Sequence, residues 1–349
     1  ETPGETAMAS HEGAPTRRDL VTAGLGVGAV LAGGTGLAPT AAALAASPES
    51  LWTGEYRAKK GDVSLYMYRK RLAAPAAGEK KLPVLFLVHG SSISSRSTFD
   101  LTVPGAGEYS LMNVFASAGF DVWTMDHEGY GRSTRTDGNS DIKSGVADLI
   151  AASEVVARET GRSKFHFLGE SSGALRAGAF AMARPDRVDR LVLEAFTWTG
   201  KDSPTLGKRA EQTEYYRTHD RRPRDRDMIR SIFTRDKPGT SDPRVPEALA
   251  DAELQFGDTI PTGTYLDMTA NLPVVDPAKV QAPVLILRGE YDGIATLDDV
   301  LGFFARLPNP DRQFVLLAGS AHAVNLGLTR QQVWHVVQSF LTMPSRLEG

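Results

Sequence analysis

The sequence contains no cysteine. Disulfides, thiolate nucleophiles and cysteine-ligated metals are therefore excluded. Histidine is sparse as well. The seven residues are scattered, and none are paired at the His-x-x-x-His spacing that puts two imidazoles on one helix face. No metal and no cofactor is expected, with only an all-carboxylate site left open. Neither sign of charge dominates, since 39 Lys and Arg face 42 Asp and Glu for a formal net charge of −3. A nucleic-acid binder would carry a basic stripe interleaved with aromatics, and this chain has none. No nucleic-acid partner is expected. Apolar residues are plentiful, at 41% of 349, enough to build one large α/β domain or two small ones.

Charge is also missing from one long stretch, which runs from Asp19 to Glu49. It follows Thr16-Arg17-Arg18-Asp19-Leu20-Val21, is rich in Ala, Gly, Leu and Val, and closes on Ala43-Leu44-Ala45. A basic start, an apolar middle and an A-x-A end are the parts of an export signal in order. The arginine pair resembles the twin-arginine export signal, which implies a periplasmic or secreted product after loss of residues 1–46. Glycines at positions 24, 26, 28, 33, 34 and 36 suit such a signal better than a spanning helix. No stable membrane association is expected after cleavage. An uncleaved anchor and an Ala/Gly-rich tail are the alternatives.

Beyond this segment, Val63, Leu65 and Met67 alternate as in a half-exposed strand. Continuous apolar runs follow at Val84–Val88, Val122–Met125, Phe165–Leu168, Leu191–Leu193, Val284–Leu287 and Phe314–Leu317. Such runs suit strands buried on both faces of a mainly parallel sheet. Helical spacing of apolar residues separates them at Leu111–Ala118, Gly145–Glu159, Ser172–Arg184 and Arg330–Leu341. This alternation predicts a doubly wound α/β sheet. It breaks between about Thr197 and Pro273, too long a stretch for an ordinary loop. The expected organisation is a core over 47–196 and 276–349, with a mostly helical cap inserted over 197–275. Surface helices without a role over the site are the plainer alternative for the insertion.

Gly169-Glu170-Ser171-Ser172-Gly173 matches G-x-S-x-G. It lies between a predicted buried strand and a predicted helix, the context in which a sharp turn lifts a serine hydroxyl above a sheet. Ser171 is therefore the candidate nucleophile. A serine needs a base, and His322, in the loop after the last predicted strand, is the candidate. His335 falls inside a predicted helix, and His89 and His127 belong to strand-end turns. Asp292 is the candidate orienting carboxylate, with Glu290 and Glu194 as competitors. The chain order is then Ser171, Asp292, His322. Two backbone N–H groups should face the developing oxyanion: Ser172, which follows the nucleophile, and Ser91, after His89-Gly90. Ser92 is the fallback donor and a candidate substrate contact. The hydroxyls of Ser91 and Ser92 could instead only satisfy local backbone groups.

Asp126-His127-Glu128-Gly129-Tyr130-Gly131-Arg132-Ser133 completes the set. With the elbow, the His-Gly turn and the ordered triad, it makes residues from about Val63 to Leu341 resemble the α/β-hydrolase superfamily. The resemblance implies the fold, a Ser-His-Asp triad and hydrolysis. Capped relatives that open epoxides or displace halide use an aspartate nucleophile. Ser171 in that place favours acyl transfer from an ester, thioester, amide or lactone. The leading expectation is cleavage of a small or medium-sized carboxylic ester. Acyl transfer to another acceptor, amide or lactone hydrolysis, and a non-catalytic binder on the same fold are the alternatives.

The inserted stretch contributes Trp198, Tyr215, Tyr216, Phe233, Phe256, Tyr265 and Met268. Trp198 is taken as a substrate contact, although aromatics at helical spacing are commonly core. The run of Arg217, Arg221, Arg222, Arg224, Arg226 and Arg230 is broken by Asp220, Asp225 and Asp227. It reads as a salt-bridged outer face. One of its arginines binding a substrate carboxylate is the alternative.

Overall fold

The computed structural model describes residues 51–344. The expected export signal lies outside the described residues. The strands are β1 (Trp52–Lys60), β2 (Val63–Arg71), β3 (Val84–Val88), β4 (Asp121–Met125), β5 (Phe165–Glu170), β6 (Val188–Glu194), β7 (Arg221–Pro223), β8 (Thr259–Pro261), β9 (Val284–Gly289) and β10 (Arg312–Leu317). The helices are α1 (Ser95–Phe99), α2 (Leu111–Ser117), α3 (Ile142–Thr160), α4 (Ser172–Ala183), α5 (Pro204–Ala210), α6 (Thr213–Thr218), α7 (Arg226–Thr234), α8 (Arg244–Leu254), α9 (Gly263–Leu266), α10 (Leu297–Arg306) and α11 (Arg330–Leu341).

One eight-stranded sheet runs in the order β1-β2-β4-β3-β5-β6-β9-β10. Its first two pairings, β1 with β2 and β2 with β4, are antiparallel, and all the rest are parallel. The continuous apolar runs have a direct cause. Side chains alternate across a strand, so Phe86 and Val88 join one core while Leu85 and Leu87 join the other. The first core packs under α3, α4 and α10 through Leu149, Leu175 and Phe303. The second packs under α2 and α11 through Phe115, Val333 and Val337. β10 departs from expectation. As the outermost strand it is half-exposed along most of its length rather than buried on both faces.

Between β6 and β9 the chain leaves the sheet. This insertion carries α5 to α9 and, beyond the helices expected, a short antiparallel pair of β7 with β8. Three residues per strand leave no run long enough to read as a strand from sequence.

The join between β5 and α4 positions the site. A Cβ on Gly173 would stand 2.1 Å from the Val88 carbonyl oxygen and 2.6 Å from that of His89. A Cβ on Gly169 would stand 2.4 Å from the Gly173 carbonyl oxygen. The helix start, the end of β3 and the end of β5 thus meet backbone to backbone, where no side chain fits. Gly173→Ala is expected to cost at least about 3 kcal/mol, the upper range for overpacking. Gly207→Ala, inside α5 with nothing within 4 Å of the added Cβ, is expected to gain roughly 0.5–1 kcal/mol. Urea unfolding of both variants checks the contrast.

Candidate active site

Ser171 stands between β5 and α4 at φ 58° and ψ −124°. This left-handed backbone is unfavourable for a residue with a Cβ. Two hydrogen bonds hold it there, from Ser171 N to the Glu194 carbonyl at 2.8 Å and from Ala174 N to the Ser171 carbonyl at 3.0 Å. His322, in the loop after β10, brings Nε2 to 3.0 Å from Ser171 Oγ. Its Nδ1 lies 2.9 Å from Asp292 Oδ1. The acceptor at Nδ1 fixes the proton there and leaves Nε2 free to accept from the serine. His322 and Asp292 are buried, so solvent does not compete for these bonds.

Both competing acids are held elsewhere. Glu290 accepts from Gly319 N at 2.8 Å and faces solvent. Glu194 accepts from Asn325 N at 3.1 Å. Asp292 also accepts from Ile294 N at 3.0 Å. Burial alone would raise its pKa. The His322 charge and hydrogen bond, with the Ile294 N–H, bring it below the ordinary carboxylate value. His335 is exposed on α11.

The expected oxyanion groups lie beside the serine. Ser172 opens α4, so its N–H has no intrahelical partner. Ser91 is fixed from three sides. Tyr130 Oη donates to its carbonyl at 2.8 Å, Thr264 Oγ1 donates to its hydroxyl at 2.9 Å, and its Oγ lies 2.6 Å from Ser172 Oγ. Ser92 Oγ lies 2.6 Å from Tyr265 Oη, on the insertion. The two hydroxyls thus pair with side chains rather than with local backbone.

The flanking turns explain their motifs. His89 Nδ1 donates to the Gly90 carbonyl at 2.8 Å, and its Nε2 accepts from His127 N at 3.0 Å. His127 Nδ1 in turn meets Asp148 at 3.0 Å. Both imidazoles are fully buried, and desolvation pushes their pKa values far below the ordinary histidine value. They are neutral struts of the His-Gly turn. Asp126 accepts from Ser95 N and Arg132 N at 2.9 and 2.8 Å, and Ser133 Oγ donates to the Asp126 carbonyl at 2.5 Å. The D-x-x-G-x-G-x-S turn is therefore closed on its own aspartate.

Trp198 is placed differently from expectation. Its indole donates to the Val275 carbonyl at 3.1 Å and packs on Phe303. It lines neither cavity around the serine, because the apolar surface of α10 holds it. Tyr215, stacked on His219, is also absent from them. The inner cavity is a narrow cleft lined by Ser171, His322, Glu170, Ser91, Phe233 and Arg209, among others. An outer cavity of about 510 Å³ opens from it past Ser92, Arg209 and Arg235, which line both.

The sequence reading missed the acids packed around the triad. Carboxylate oxygens of Asp236 and Asp292 and a nitrogen of His322 lie within 4.8 Å of one another. They do not make a metal centre, because Asp292 and Ser171 already occupy the two imidazole nitrogens. Glu170 is buried at one oxygen with no partner for it among the described residues. Burial first, and the Asp292 charge second, raise its pKa to about 7. In the unfolded chain the same group loses its proton near 4.5. Its contribution to stability is full below that value, falls as pH rises, and is lost once pH passes about 7. Glu170→Gln is expected to raise the thermal midpoint at pH 8, by up to about 3 kcal/mol of stability, and to change it little at pH 4.5. A gain equal at both pH values would contradict this assignment.

The comparisons agree with this architecture. A family model described as serine aminopeptidase, S33, matches residues 102–326. The 2-hydroxy-6-oxononadienedioate/2-hydroxy-6-oxononatrienedioate hydrolase 2 of Pseudomonas putida is 26% identical over 276 residues, 72% of this chain and 84% of that protein. Among solved structures, 2-hydroxy-6-oxo-6-phenylhexa-2,4-dienoate hydrolase from Rhodococcus sp. superposes with a TM-score of 0.61 at 19% identity, covering 83% of this chain and 99% of that one. Carboxylesterase CesB from Bacillus subtilis superposes with a TM-score of 0.58 at 19% identity, covering 84% and 93%. At such identities these structures speak for the fold alone. The family match spans well over half of the sequence and includes the elbow, Asp292 and His322, and the chain belongs to the serine aminopeptidase S33 family of α/β-hydrolases.

Proposed function

We propose that this protein is a serine hydrolase that cleaves a carboxylic ester through an acyl-enzyme. One observation carries the reading. An unbroken hydrogen-bonded relay runs from Ser171 Oγ to His322 at 3.0 Å and from His322 to Asp292 at 2.9 Å. Ser171 Oγ attacks the carbonyl carbon as its proton passes to His322 Nε2. The N–H groups of Ser91 and Ser172 stabilise the oxyanion. The intermediate collapses, the bond to the leaving oxygen breaks, and His322 returns the proton to the departing alcohol. Water, deprotonated by the same imidazole, then attacks the acyl-enzyme, and the acid leaves with Ser171 restored. Asp292 keeps the imidazole oriented and offsets its transient positive charge.

The family description refers to aminopeptidases, whose substrates begin with a positively charged amino group. The cavities here argue against that substrate, since Arg209 and Arg235 line both of them. A second reading rests on the curated relatives. Those at 26–27% identity are named as hydrolases of 2-hydroxy-6-oxo dienedioates and trienedioates, and such enzymes cleave a carbon–carbon bond. The same serine could serve that reaction, in which the electron pair leaves on carbon instead of oxygen. The insertion over 197–275 serves in either case as the cap above the serine. Residues 1–46 serve as a removable export signal.

Purified protein is expected to turn over simple carboxylic esters and to be labelled at Ser171 by a fluorophosphonate. Ser171→Ala is expected to lose at least about 10³-fold in kcat. Retention of most activity in that variant would sink the triad assignment. Turnover of a 2-hydroxy-6-oxo dienedioate at a kcat/KM well above that of every ester would replace the ester reading with the carbon–carbon one. For export, a chain produced in a host with a twin-arginine system should be recovered outside the cytoplasm. Its new N-terminus should lie near Ala45, and Arg17→Lys with Arg18→Lys should block the release. A chain that stays inside with residues 1–46 intact would refute the signal.

A further inference from the structure

Each arginine of the insertion has its own electrostatic environment. Arg217 pairs with Glu214 at 2.8 Å, Arg226 with Glu247 and Asp251, and Arg230 with Glu247 and Asp227. Arg224 is buried against Glu253. Arg221 is spent on the carbonyls of Gly129 and Thr259. Arg244 pairs with Asp242 at 2.6 Å. Arg222, Arg209 and Arg235 remain. Among the described residues, neither Arg209 nor Arg222 has a hydrogen-bond or ionic partner for its guanidinium. Arg235 has only the adjacent Asp236, at 3.7 Å.

These three come from different segments, α5, β7 and the end of α7, yet they line one cavity. Arg209 and Arg222 lie over the Tyr265 ring at 5.2 and 4.8 Å from its centroid. The phenol oxygen of that ring touches Ser92 at 2.6 Å, next to the oxyanion loop. Around the outer cavity four cations, Lys208, Arg209, Arg222 and Arg235, face one carboxylate, Asp236. Arg209 and Arg235 also line the inner cleft that holds Ser171. Like charges gathered with one counter-ion among four repel one another, and a half-enclosed cavity screens them less than open water does. Desolvation first, and then Arg235, lower the pKa of Arg209 to about 10. An arginine in that condition is still charged at neutral pH and is relieved by an arriving anion.

We propose that Arg209, Arg222 and Arg235 form an anion-binding subsite for a carboxylate on the substrate, remote from the carbonyl that Ser171 attacks. The preferred ester is then a half-ester of a dicarboxylic acid. The guanidinium fork matches a carboxylate in two parallel hydrogen bonds. Tyr216, Tyr265 and Met228 line the outer cavity beside the three arginines. The ester half of this inference rests on the function proposed for Ser171, whereas the anion half does not.

The test has a kinetic arm and a binding arm. In the first, wild-type kcat/KM is measured for monomethyl adipate and for neutral dimethyl adipate. The monoester is expected to be preferred by at least about tenfold, the worth of one charge-assisted hydrogen bond. High salt should shrink the preference. Arg209→Ala should bring the ratio near one, and Arg209→Lys should retain part of it. In the second arm, calorimetry on Ser171→Ala measures binding of adipate, of neutral adipamide and of inorganic phosphate. Adipate should bind best and lose its affinity when Arg209→Ala is added. If Arg209→Ala does not fold, Arg222→Ala and Arg235→Ala with the wild-type salt dependence decide in its place. A neutral ester turned over as well as the monoester, with no adipate binding, overturns the subsite and leaves the hydrolase intact. Arginine-dependent adipate binding without any ester turnover keeps the subsite and overturns the esterase. Phosphate bound more tightly than adipate overturns the carboxylate assignment.

Discussion

The strained backbone of Ser171 is the constraint on which the rest of this molecule depends. A residue with a Cβ at φ 58° persists only where its surroundings allow no other path. Those surroundings are the buried ends of β3 and β5, packed so closely on the start of α4 that Gly173 lies against the Val88 and His89 carbonyls. The same contact fixes the loop that carries Ser91, because His89 is tied through His127 to Asp148. The nucleophile, the expected oxyanion donors and the neutral histidine struts are therefore one unit, held by the sheet ends and by hydrogen bonds among themselves.

Charge is arranged around this unit by depth. Around the serine lie Asp292, Glu170 and Glu194, a crowd of acids in a place that disfavours ions. They cannot all be ionised together without penalty. Asp292 stays charged because His322 and a backbone N–H favour its anion. Glu170 and Glu194 yield instead: burial raises both, helped by the Asp292 charge at Glu170 and the Glu170 charge at Glu194. One carboxylate is thus kept for the imidazole, while its neighbours tend toward neutrality. Along the outer cavity the sign reverses, with Arg209 and Arg222 unpaired among the described residues. A substrate with an anionic end would be drawn by the outer field and not expelled by the inner one.

The core of this arrangement was legible before any coordinates because its causes are local. Val84–Val88 is buried on both faces and reads as an unbroken apolar run. Ser171, Asp292 and His322 each follow a strand end, where chain order and turn chemistry identify them. Pairing was not legible. Arg226 and Arg230 share Glu247, and Arg224 closes on Glu253. The partners thus lie on α8, well beyond the run itself. Arg222 looks the same as its neighbours until those partners are known, and Arg209 and Arg235 lie outside the run. Trp198 misled for a related reason. Its position after β6 is near the site along the chain, but the apolar surface of α10 claimed its ring. β10 has a core-like composition, and only its place at the sheet edge leaves it half-exposed.

This difference in legibility follows from how the two halves of the site are built. Acyl chemistry needs atoms placed within a few tenths of an ångström, and in this fold strand ends and one tight turn supply that placement. In this chain those turns leave short patterns in the sequence, G-x-S-x-G at the elbow and His-Gly after β3. An anion subsite has a looser requirement. Guanidiniums on long, flexible stems can converge from α5, β7 and the end of α7, and no spacing between them is imposed. Among the described residues, none of the three guanidiniums hydrogen-bonds the backbone that holds Ser171 in its strained turn, so such residues can change without removing a bond from the elbow. The reaction type follows from turns that sequence displays, and the proposed substrate preference follows from which insertion charges find partners and which do not.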